Sequence, residues 1–592
     1  MTSINERINA LKSVLNEADL DAFIIPSSDA HQSEYVGDFA NTRQWISGFS
    51  GSAGTVIITK NDAGLWTDSR YYLQAETELS DTEMSMHKMG NKGQAAWIDW
   101  LNETFPDGAN IAFDGNLFTK SFSDQIVKKL NPSISLNSSF NPIDQIWNER
   151  PARPKDKIYE HTLDYAITSR RNKIDQLRKE FIPHADKYII SALDDIAWVF
   201  NLRGRDIEFN PVFYAFGLIG KDEAILFCDH DKIPEGLEGT LETDGIQMKD
   251  YDLFIPYVNN LSPSEKVFLD PSDTSVGLYR AINAEIVEGT NIIRSMKGVK
   301  SEGELKHVRN AMEKDGVALL RMYRWLDNEL DERTVTEAEL SDKIQYFRSL
   351  MPGYVGESFP PIVGYESNGA IIHYRPHPDT AAAIKKDGML LIDSGGQYLD
   401  GTTDITRTIH FGAPTPEQKT AYTTVLKGKI AIDQLIFPKG TNGYQMDILA
   451  RSSMWKHGLN YGHGTGHGVG YLLNVHEGPQ GIAQVYNVKS KQAFQVGMIT
   501  SNEPGFYKSG GFGIRIENLI ATKEHSETAY GTFYGFETLT LFPIATNLID
   551  MTLLTRDEVA WLNEYHKLVE NRLSPHLNED EKAWLKEACK PI

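Results

Sequence analysis

The sequence predicts a multidomain protein of α/β and α+β class, in which two related α/β domains precede a larger α+β domain. Three observations predict this. The chain has 592 residues, which is too long for one core at about 100–200 residues per domain. Two N-terminal segments repeat the same order of predicted elements. Beyond residue 300 the chain is denser in glycine and holds eleven of its sixteen histidines.

The first predicted domain covers residues 1–150 and begins with an amphipathic helix. Ser3 and Glu6 have the spacing of a capping box, in which each side chain bonds the other's backbone N–H. Apolar residues then recur at helical spacing: Ile4, Ile8, Leu11 and Leu15. Apolar runs at 22–25, 55–58 and 65–66 predict buried strands, and a tryptophan-bearing segment at 45–49 lies between the first two.

The second predicted domain, residues 155–297, repeats this order. A helix at about 171–180 is followed by a strand at 188–190, a tryptophan-bearing segment at 198–202 and a strand at 224–227. Chance is an alternative, because a helix followed by a strand is common, but the shared order of elements favours duplication. Residues 148–156 between the copies are polar and contain two prolines, as expected for a linker.

The third predicted domain, residues 300–592, begins with a helix that Ser301 and Glu304 cap. Strand-like runs at 389–392, 406–411 and 514–520 alternate with long helices, which favours α+β over a regular βαβ repeat. The last fifty residues have helical spacing of apolar residues from Val559 to Leu568.

Composition and charge exclude several classes of protein. A chain that is 41% hydrophobic and 24% charged folds rather than staying disordered. Its net charge of −22 makes nucleic acid and anionic membranes poor partners. Cys228 and Cys589 are the only cysteines, so any metal needs histidine and carboxylate ligands. The start of the chain lacks a signal-peptide pattern, and no apolar run reaches the length of a membrane span, so a cytoplasmic enzyme is expected.

Two aspartates follow or precede predicted strands in the third domain. Asp393 ends the apolar run 389–392, and Asp404 lies eleven residues further on, before the run 406–411. Two strands joined by a turn through 397–401 would bring the two acids side by side. Such a pair beside apolar residues is costly unless a cation compensates it.

Two glutamates and a histidine extend this set. Glu503 follows an apolar run, and Glu517 shares one face of a predicted strand with Arg515. Each acid alone is best explained as a capping or turn carboxylate, and His467 alone as an ordinary histidine. Four carboxylates and one histidine together are the ligands expected of a site for two divalent ions.

Seven ordered motifs carry a resemblance to a known family. They are 300–305 (Lys-Ser-Glu-Gly-Glu-Leu), 392–395, 401–408, 463–470, 475–479, 502–505 and 513–518. Together they resemble the aminopeptidase P family of pita-bread metallopeptidases, most closely its three-domain cytosolic form. The resemblance extends to 47–54, 66–71 and the C-terminal helix. It implies two creatinase-like N-terminal domains and a C-terminal pita-bread catalytic domain.

The resemblance also implies a dinuclear metal centre. Asp393 would chelate one ion, Asp404 and Glu517 would bridge both, and His467 and Glu503 would complete the second. Manganese is the metal expected from the family, although these ligand types also suit Co²⁺, Zn²⁺ or Fe²⁺.

By the same resemblance, a hydroxide shared by both ions attacks the scissile carbonyl, and Glu503 carries its proton to the leaving proline nitrogen. His373 would position substrate near that nitrogen. His463 and His476 would line the proline side and stabilise the oxyanion. Arg515 would hold a bridging carboxylate from outside the ligand set.

The substrates so implied are peptides with proline at the second position, cleaved after the first residue. Two alternatives stay open: a prolidase that takes only Xaa-Pro dipeptides, and a pita-bread domain used as a binding module without catalysis. The family resemblance also implies a homodimer.

Overall fold

The computed structural model describes residues 2–592 and divides into two compact units. The first comprises the chain up to Thr162 together with Thr168–Glu208 and Val212–Ile293. The second comprises Leu163–Ile167, Phe209–Pro211 and Arg294–Ile592.

The first half of the first unit is a six-stranded sheet with helices around it. Its helices are α1 (Ile4–Glu17), α2 (Thr42–Ser47), α3 (Tyr72–Glu78), α4 (Ala95–Thr104), α5 (Lys120–Lys129) and α6 (Ile143–Ile146). Its strands are β1 (Ala22–Pro26), β2 (Thr55–Thr59), β3 (Ala63–Thr67), β4 (Ser85–Lys88), β5 (Ala109–Phe113) and β6 (Ile134–Asn137), in the order β4-β3-β2-β1-β5-β6.

The chain between residues 159 and 298 contains a second six-stranded sheet. The strands of this segment are β7 (Tyr159–Glu160), β8 (Lys187–Ile190), β9 (Leu202–Arg203), β10 (Ala215–Gly220), β11 (Ala224–Cys228), β12 (Gln247–Lys249), β13 (Lys266–Leu269) and β14 (Glu285–Glu288). Its helices are α7 (Leu163–Ala166), α8 (Arg170–Phe181), α9 (Leu193–Val199), α10 (Leu237–Thr243), α11 (Phe254–Asn259), α12 (Val276–Ala281) and α13 (Ile292–Gly298). The sheet order is β12-β11-β10-β8-β13-β14, and β7 pairs with β9 separately.

The two six-stranded sheets have the same topology. In each, the first strand pairs antiparallel with the second and parallel with the fifth, the second and third are antiparallel, and the remaining two pairs are parallel. Identical order and strand direction over six strands confirm the predicted repeat of elements. The tryptophan-bearing segments are the short helices α2 and α9.

Alternation along the strands explains why apolar runs are needed in these sheets. Phe23 and Ile25 enter one apolar core, while Ala22 and Ile24 enter another. Because successive side chains point to opposite faces, a strand covered on both faces must be apolar throughout. Helix α1 covers one face, and its predicted capping box is present.

The second unit contains α7, the greater part of α13 and all later elements. Its later helices are α14 (Glu302–Glu332), α15 (Glu337–Ser349), α16 (Pro416–Asp433), α17 (Gly443–Trp455), α18 (Val488–Lys491), α19 (Arg556–Leu573) and α20 (Glu579–Ala588), of which α18 is a single turn. Strands up to residue 411 are β15 (Val335–Thr336), β16 (Tyr354–Glu357), β17 (Ile362–Tyr365), β18 (Ala383–Ile384), β19 (Gly388–Ser394), β20 (Gly396–Tyr398), β21 (Gly401–Thr402) and β22 (Ile405–Phe411). The later strands are β23 (Phe437–Pro438), β24 (Gly466–His467), β25 (Gly481–Ile482), β26 (Ile499–Asn502), β27 (Gly505–Lys508), β28 (Phe512–Arg515), β29 (Asn518–Thr528) and β30 (Gly531–Thr538).

Two short sheets and a hairpin position the candidate ligands. Strands β17, β19 and β22 form one sheet, β23, β30, β29 and β26 form another, and β27 pairs with β28. Strands β19 and β22 are antiparallel, with Asp393 opposite Thr406. The predicted turn between them is itself a small hairpin, β20–β21.

One predicted strand is wrong in its extent. The run 514–520 was expected to be continuous, but it is divided between β28 and β29. At the break, the Ile516 N–H donates to the carbonyl of Pro504 and the Glu517 N–H donates to that of Thr406. These two residues therefore leave one ladder before the next begins. In residues 2–592, no helix combines the length and apolar character that a membrane span requires.

Candidate metal centre

The ends of paired strands bring the predicted acids together. Asp393 is the penultimate residue of β19, and Asp404 immediately precedes β22. Because Asp393 lies opposite Thr406, the two aspartates are near neighbours across the ladder. Glu517, in the break between β28 and β29, accepts a hydrogen bond from the Thr406 hydroxyl at 2.7 Å. Thr406 thus connects β22, which follows Asp404, to the backbone break that carries Glu517.

Asp404, His467 and Glu517 form the core of the group. Each offers one ligand atom, and these atoms all lie within 4.8 Å of one another. His467 Nε2 is 3.5 Å from Asp404 Oδ2 and 3.6 Å from Glu503 Oε1. Asp404, Glu503 and Glu517 therefore gather beside His467, so four of the five predicted ligands lie together.

Local backbone contacts set the orientation of His467. Its Nδ1 lies 3.0 Å from the carbonyl of Gly468, which makes Nδ1 the protonated nitrogen. Nε2 then carries the lone pair and faces the carboxylates, as a metal ligand requires. The preceding residue is glycine because a Cβ there would lie 1.9 Å from the carbonyl oxygen of Ser501. That close approach brings the β24 backbone against β26, the strand that leads to Glu503.

The electrostatics of the group are unfavourable without a cation. Burial, followed by the charges of Asp393 and Glu503, raises the pKa of Asp404 well above its usual range. Burial and then Asp404 do the same to the pKa of Glu517. Burial raises the pKa of Glu503 to about 7, although Arg515 opposes the shift. Each carboxylate is thus costly to ionise in this setting.

Arg515 is the buried cation beside these acids. Its Nη2 donates to Asp393 Oδ2 at 2.5 Å, its Nη1 to the Tyr507 hydroxyl at 2.6 Å and its Nε to Thr406 at 3.1 Å. Within the described chain, the other oxygen of Asp393, Oδ1, is buried with no hydrogen-bond partner. An orphaned carboxylate oxygen is expensive unless a cation fills its place.

These observations fit a divalent metal site. The donor set is four carboxylates and an imidazole, which suits hard or borderline cations. The raised pKa values and the unpartnered Asp393 Oδ1 both indicate a deficit of positive charge. Two dications would supply that charge where the deficit lies.

The predicted substrate histidines lie around the group. The ring of His476 stands perpendicular to that of His467 with centroids 4.3 Å apart. His463 Nδ1 lies 2.7 Å from the carbonyl of Gly464, and its Nε2 lies 2.9 Å from the Tyr507 hydroxyl. His373 is half-buried on a loop. The carbonyl of the residue before it, Ile372, accepts a hydrogen bond from Arg515 at 3.4 Å.

Tyr507 is a residue that the sequence did not single out. Its hydroxyl accepts from Arg515 and is positioned to donate to His463, so it connects the ligand side of the site to a predicted substrate side. Gly505 makes this possible, since a Cβ there would lie 2.5 Å from the hydroxyl oxygen. The signal in the sequence was the alternation Gly505, Tyr507 on the strand after Glu503, which places both on one face.

The sequence also contained no indication of a buried ion pair, Arg451 with Asp447, that holds the segment 461–465 before His467. We call this pair the clamp. Arg451, on α17, donates to the carbonyls of Tyr461 and His463, each at 2.7 Å, and to the carboxylate of Asp447. Asp447 in turn accepts from the Thr465 hydroxyl at 2.6 Å. The clamp fixes the backbone that leads to His467, and the residues that it bonds lie too far along the sequence to form a motif.

Four successive segments match known domain families. Residues 7–147 and 149–304 each match the creatinase/prolidase N-terminal domain, residues 306–524 match metallopeptidase family M24, and residues 532–592 match the C-terminal region of peptidase M24. The expected architecture, two creatinase-type domains before a pita-bread metallopeptidase domain, is confirmed. The fold and the buried acid cluster are those of a metallopeptidase.

Comparison with similar proteins shows which kind of metallopeptidase this chain resembles. A "Probable Xaa-Pro aminopeptidase P" of Laccaria bicolor is 41% identical, covering 99% of this chain and 93% of its own length. "Aminopeptidase P2" of Arabidopsis thaliana is 38% identical over 100% of this chain and 89% of its own. The X-prolyl aminopeptidase of Caenorhabditis elegans, described as a cytosolic enzyme with a di-nuclear active site, matches with a TM-score of 0.94 at 33% identity over 100% of both chains. The chain belongs to the Xaa-Pro aminopeptidases of metallopeptidase family M24.

Proposed function

We propose that this protein is a metallo-aminopeptidase that hydrolyses the bond between an N-terminal residue and a following proline. The observation that carries the proposal is the convergence of Asp404, His467 and Glu517 within 4.8 Å in a buried, acid-rich site of an M24 domain. The names of the full-length relatives support the substrate class. A tertiary prolyl amide with a locked φ needs such a specialised site.

Asp393, Asp404, His467, Glu503 and Glu517 would hold two divalent ions, with manganese as the proposed metal. The ions, when bound, would polarise the scissile carbonyl and make water nucleophilic near neutral pH. The unpartnered Asp393 Oδ1 and the raised pKa values of Asp404 and Glu517 support this assignment.

Glu503 is proposed to move the proton. In the metal-free site burial raises the pKa of Glu503 to about 7, so this carboxyl holds a proton more readily than an exposed glutamate does. In the proposed reaction Glu503 accepts the proton of the attacking water and delivers it to the nitrogen of the leaving proline. Without that delivery the amine would leave as an anion, which is a far poorer leaving group.

The histidines are proposed to have different tasks. Both ring nitrogens of His463 have short contacts, with Gly464 and Tyr507, so His463 would line the proline side with its ring face. His476 packs edge-on against His467 and would donate a hydrogen bond to the developing oxyanion. His373 would position the substrate beside the scissile nitrogen. Arg515 would orient Asp393 from outside the ligand set.

We further propose that the protein is cytoplasmic and forms a homodimer. The proposed domain limits within each chain are 1–150, 155–297 and 300–592. The cytosolic description of the Caenorhabditis elegans protein supports the location. Tyr444, Ile448 and Trp455 support the dimer, since these large apolar residues of α17 are each about half exposed in the single chain. Sedimentation tests this: Ile448→Asp is expected to yield monomers at a concentration where the wild type is dimeric, and a monomeric wild type would refute the dimer.

Peptide hydrolysis tests the proposed activity. Purified protein with added Mn²⁺ is given Arg-Pro-Pro, Ala-Pro and Ala-Ala-Ala, with Asp404→Ala as the inactive control. Rapid release of arginine from Arg-Pro-Pro with poor cleavage of Ala-Ala-Ala is expected. Cleavage of Ala-Pro alone would indicate a prolidase. No cleavage of any peptide by metal-loaded protein would favour a binding module.

A further inference from the structure

The loop that carries His373 has little regular structure of its own. It runs from the end of β17 at Tyr365 to β18 at Ala383 and contains only a short 3₁₀ turn, Glu366–Ala370. Residues 377–380 in its second part are exposed. A segment of this kind holds one conformation only if contacts outside it fix its ends and its middle.

Glu337 supplies those contacts. It is the first residue of α15 and is fully buried. Its carboxylate accepts from the backbone N–H groups of Tyr365 and Ala382, both at 2.7 Å, and from the Tyr374 hydroxyl at 2.8 Å. The Asn368 amide nitrogen donates to both carboxylate oxygens, at 3.0 and 3.1 Å. One side chain therefore binds the beginning, the middle and the end of the loop.

Backbone hydrogen bonds beside Glu337 hold the end of the same loop. The Glu337 N–H donates to the carbonyl of Ala382 at 3.1 Å. Strand β15, which ends at Thr336, pairs antiparallel with β18, which starts at Ala383. The carboxylate at the start of a helix is also favoured by the helix dipole, and among residues 2–592 it is held by neutral hydrogen-bond donors.

His373 lies between two fixed neighbours. On one side, the Ile372 carbonyl accepts from Arg515, which also bonds Asp393. On the other side, the Tyr374 hydroxyl donates to Glu337. We infer that Glu337 is a positioning residue of the peptidase, which sets the place of His373 relative to the metal ligands through Tyr374 and Asn368. This inference rests on the proposed role of His373.

Isosteric variants test it with little risk to folding. Tyr374→Phe removes one hydroxyl of the anchor. Tyr354→Phe is the matched control, since the Tyr354 hydroxyl donates to another buried glutamate, Glu357, at 2.7 Å outside this loop. Tyr374→Phe is expected to lower kcat/KM for Arg-Pro-Pro by about 10-fold or more, mainly through kcat, with full metal content. Tyr354→Phe is expected to stay near the wild-type value.

A double variant separates positioning from general stability. If Tyr374 acts through His373, adding Tyr374→Phe to His373→Ala costs no further activity. Losses that multiply would overturn the inference, as would wild-type kinetics of Glu337→Gln.

Hydrogen exchange tests whether Glu337 holds the loop, independently of catalytic activity. Peptides from 366–381 should exchange faster in Glu337→Gln than in the wild type, and equal protection would overturn the anchor. A wild type that cleaves no Xaa-Pro peptide would instead reject the proposed function. If the wild type is active and the Glu337 and Tyr374 variants have wild-type kinetics, only the inference about Glu337 is rejected.

Discussion

Replacing Glu503 by glutamine is expected to stabilise the metal-free protein while abolishing its activity. Glu503 is partly buried beside other carboxylates, with its side chain 19% exposed, and this burial raises its pKa from 4.5 to about 7. A group with a raised pKa binds its proton more tightly in the folded chain than in the unfolded chain. Its contribution to stability is therefore complete below pH 4.5 and is lost as pH rises through 7.

The size of the effect follows from that shift. A change from 4.5 to about 7 corresponds to about 3 kcal/mol, because one pKa unit is worth about 1.4 kcal/mol. Above pH 7 the ionised Glu503 destabilises the metal-free fold by up to about this amount, and neutral glutamine avoids the penalty. For a domain of roughly 300 residues, we expect the melting temperature of Glu503→Gln to exceed that of the wild type by about 5 °C at pH 8.

Thermal melts of EDTA-treated protein between pH 5 and 8 measure this. The gap between Glu503→Gln and wild type should be small at pH 5 and open as pH rises. Added Mn²⁺ should then stabilise the wild type more than the variant. Glu558→Gln serves as a control of opposite sign, since bonds from Lys427 and Thr555 hold the pKa of Glu558 below its ordinary value. A Glu503→Gln protein less stable than wild type at pH 8 without metal would refute the reasoning.

Three further outcomes are expected at the site. Asp404→Ala should lose both ions by mass spectrometry, because the proposed bridging ligand would serve both. Asp400→Ala, whose carboxylate contacts Lys314 and His307, should retain them. Full occupancy in folded Asp404→Ala would reject the bridge. His476→Ala should lower kcat about 10²–10³-fold with metal and melting temperature intact, whereas lost metal with lost stability would mean that it only packs under the loop. Arg515→Lys keeps the charge but loses the planar fork, so metal affinity should fall about 10–100-fold in a titration; unchanged affinity would remove its role in holding Asp393.

Local signals in the sequence predicted the elements that depend on short-range interactions. The capping box of Ser301 and Glu304 and the apolar stripe behind it place the start of α14 correctly. The repeated order of elements at the N-terminus was visible because each copy carries its own strand and helix patterns. Sheet order and register were not, because they depend on pairings such as β1 with β5 that no local pattern encodes.

The candidate ligands were found because each lies in a recognisable motif, whereas the long-range hydrogen bonds that support them leave no local pattern in the sequence. Thr406 and Glu517 bond across 111 positions, and Glu337 reaches Tyr374 across 37. Thr406 lies in the motif 401–408, but nothing in that motif indicates its bond to Glu517, and Glu337 lies in none of the motifs. The division of the run 514–520 was hidden for a related reason: alternation continues through the break, and only the partners of residues 516 and 517 change.

Charge balance explains why the arginine belongs to the site. Four ionised carboxylates and one guanidinium leave three negative charges, which a buried site cannot carry alone. The two proposed dications would bring four positive charges, so the loaded site would hold one net positive charge. Without Arg515 the same ligands and ions would be neutral. Because the guanidinium is bonded to Asp393 and, through Tyr507, to His463, its charge lies between the ligands and the proposed substrate side. In the proposed site an anionic transition state would thus be favoured over a neutral substrate, which is the difference that catalysis requires.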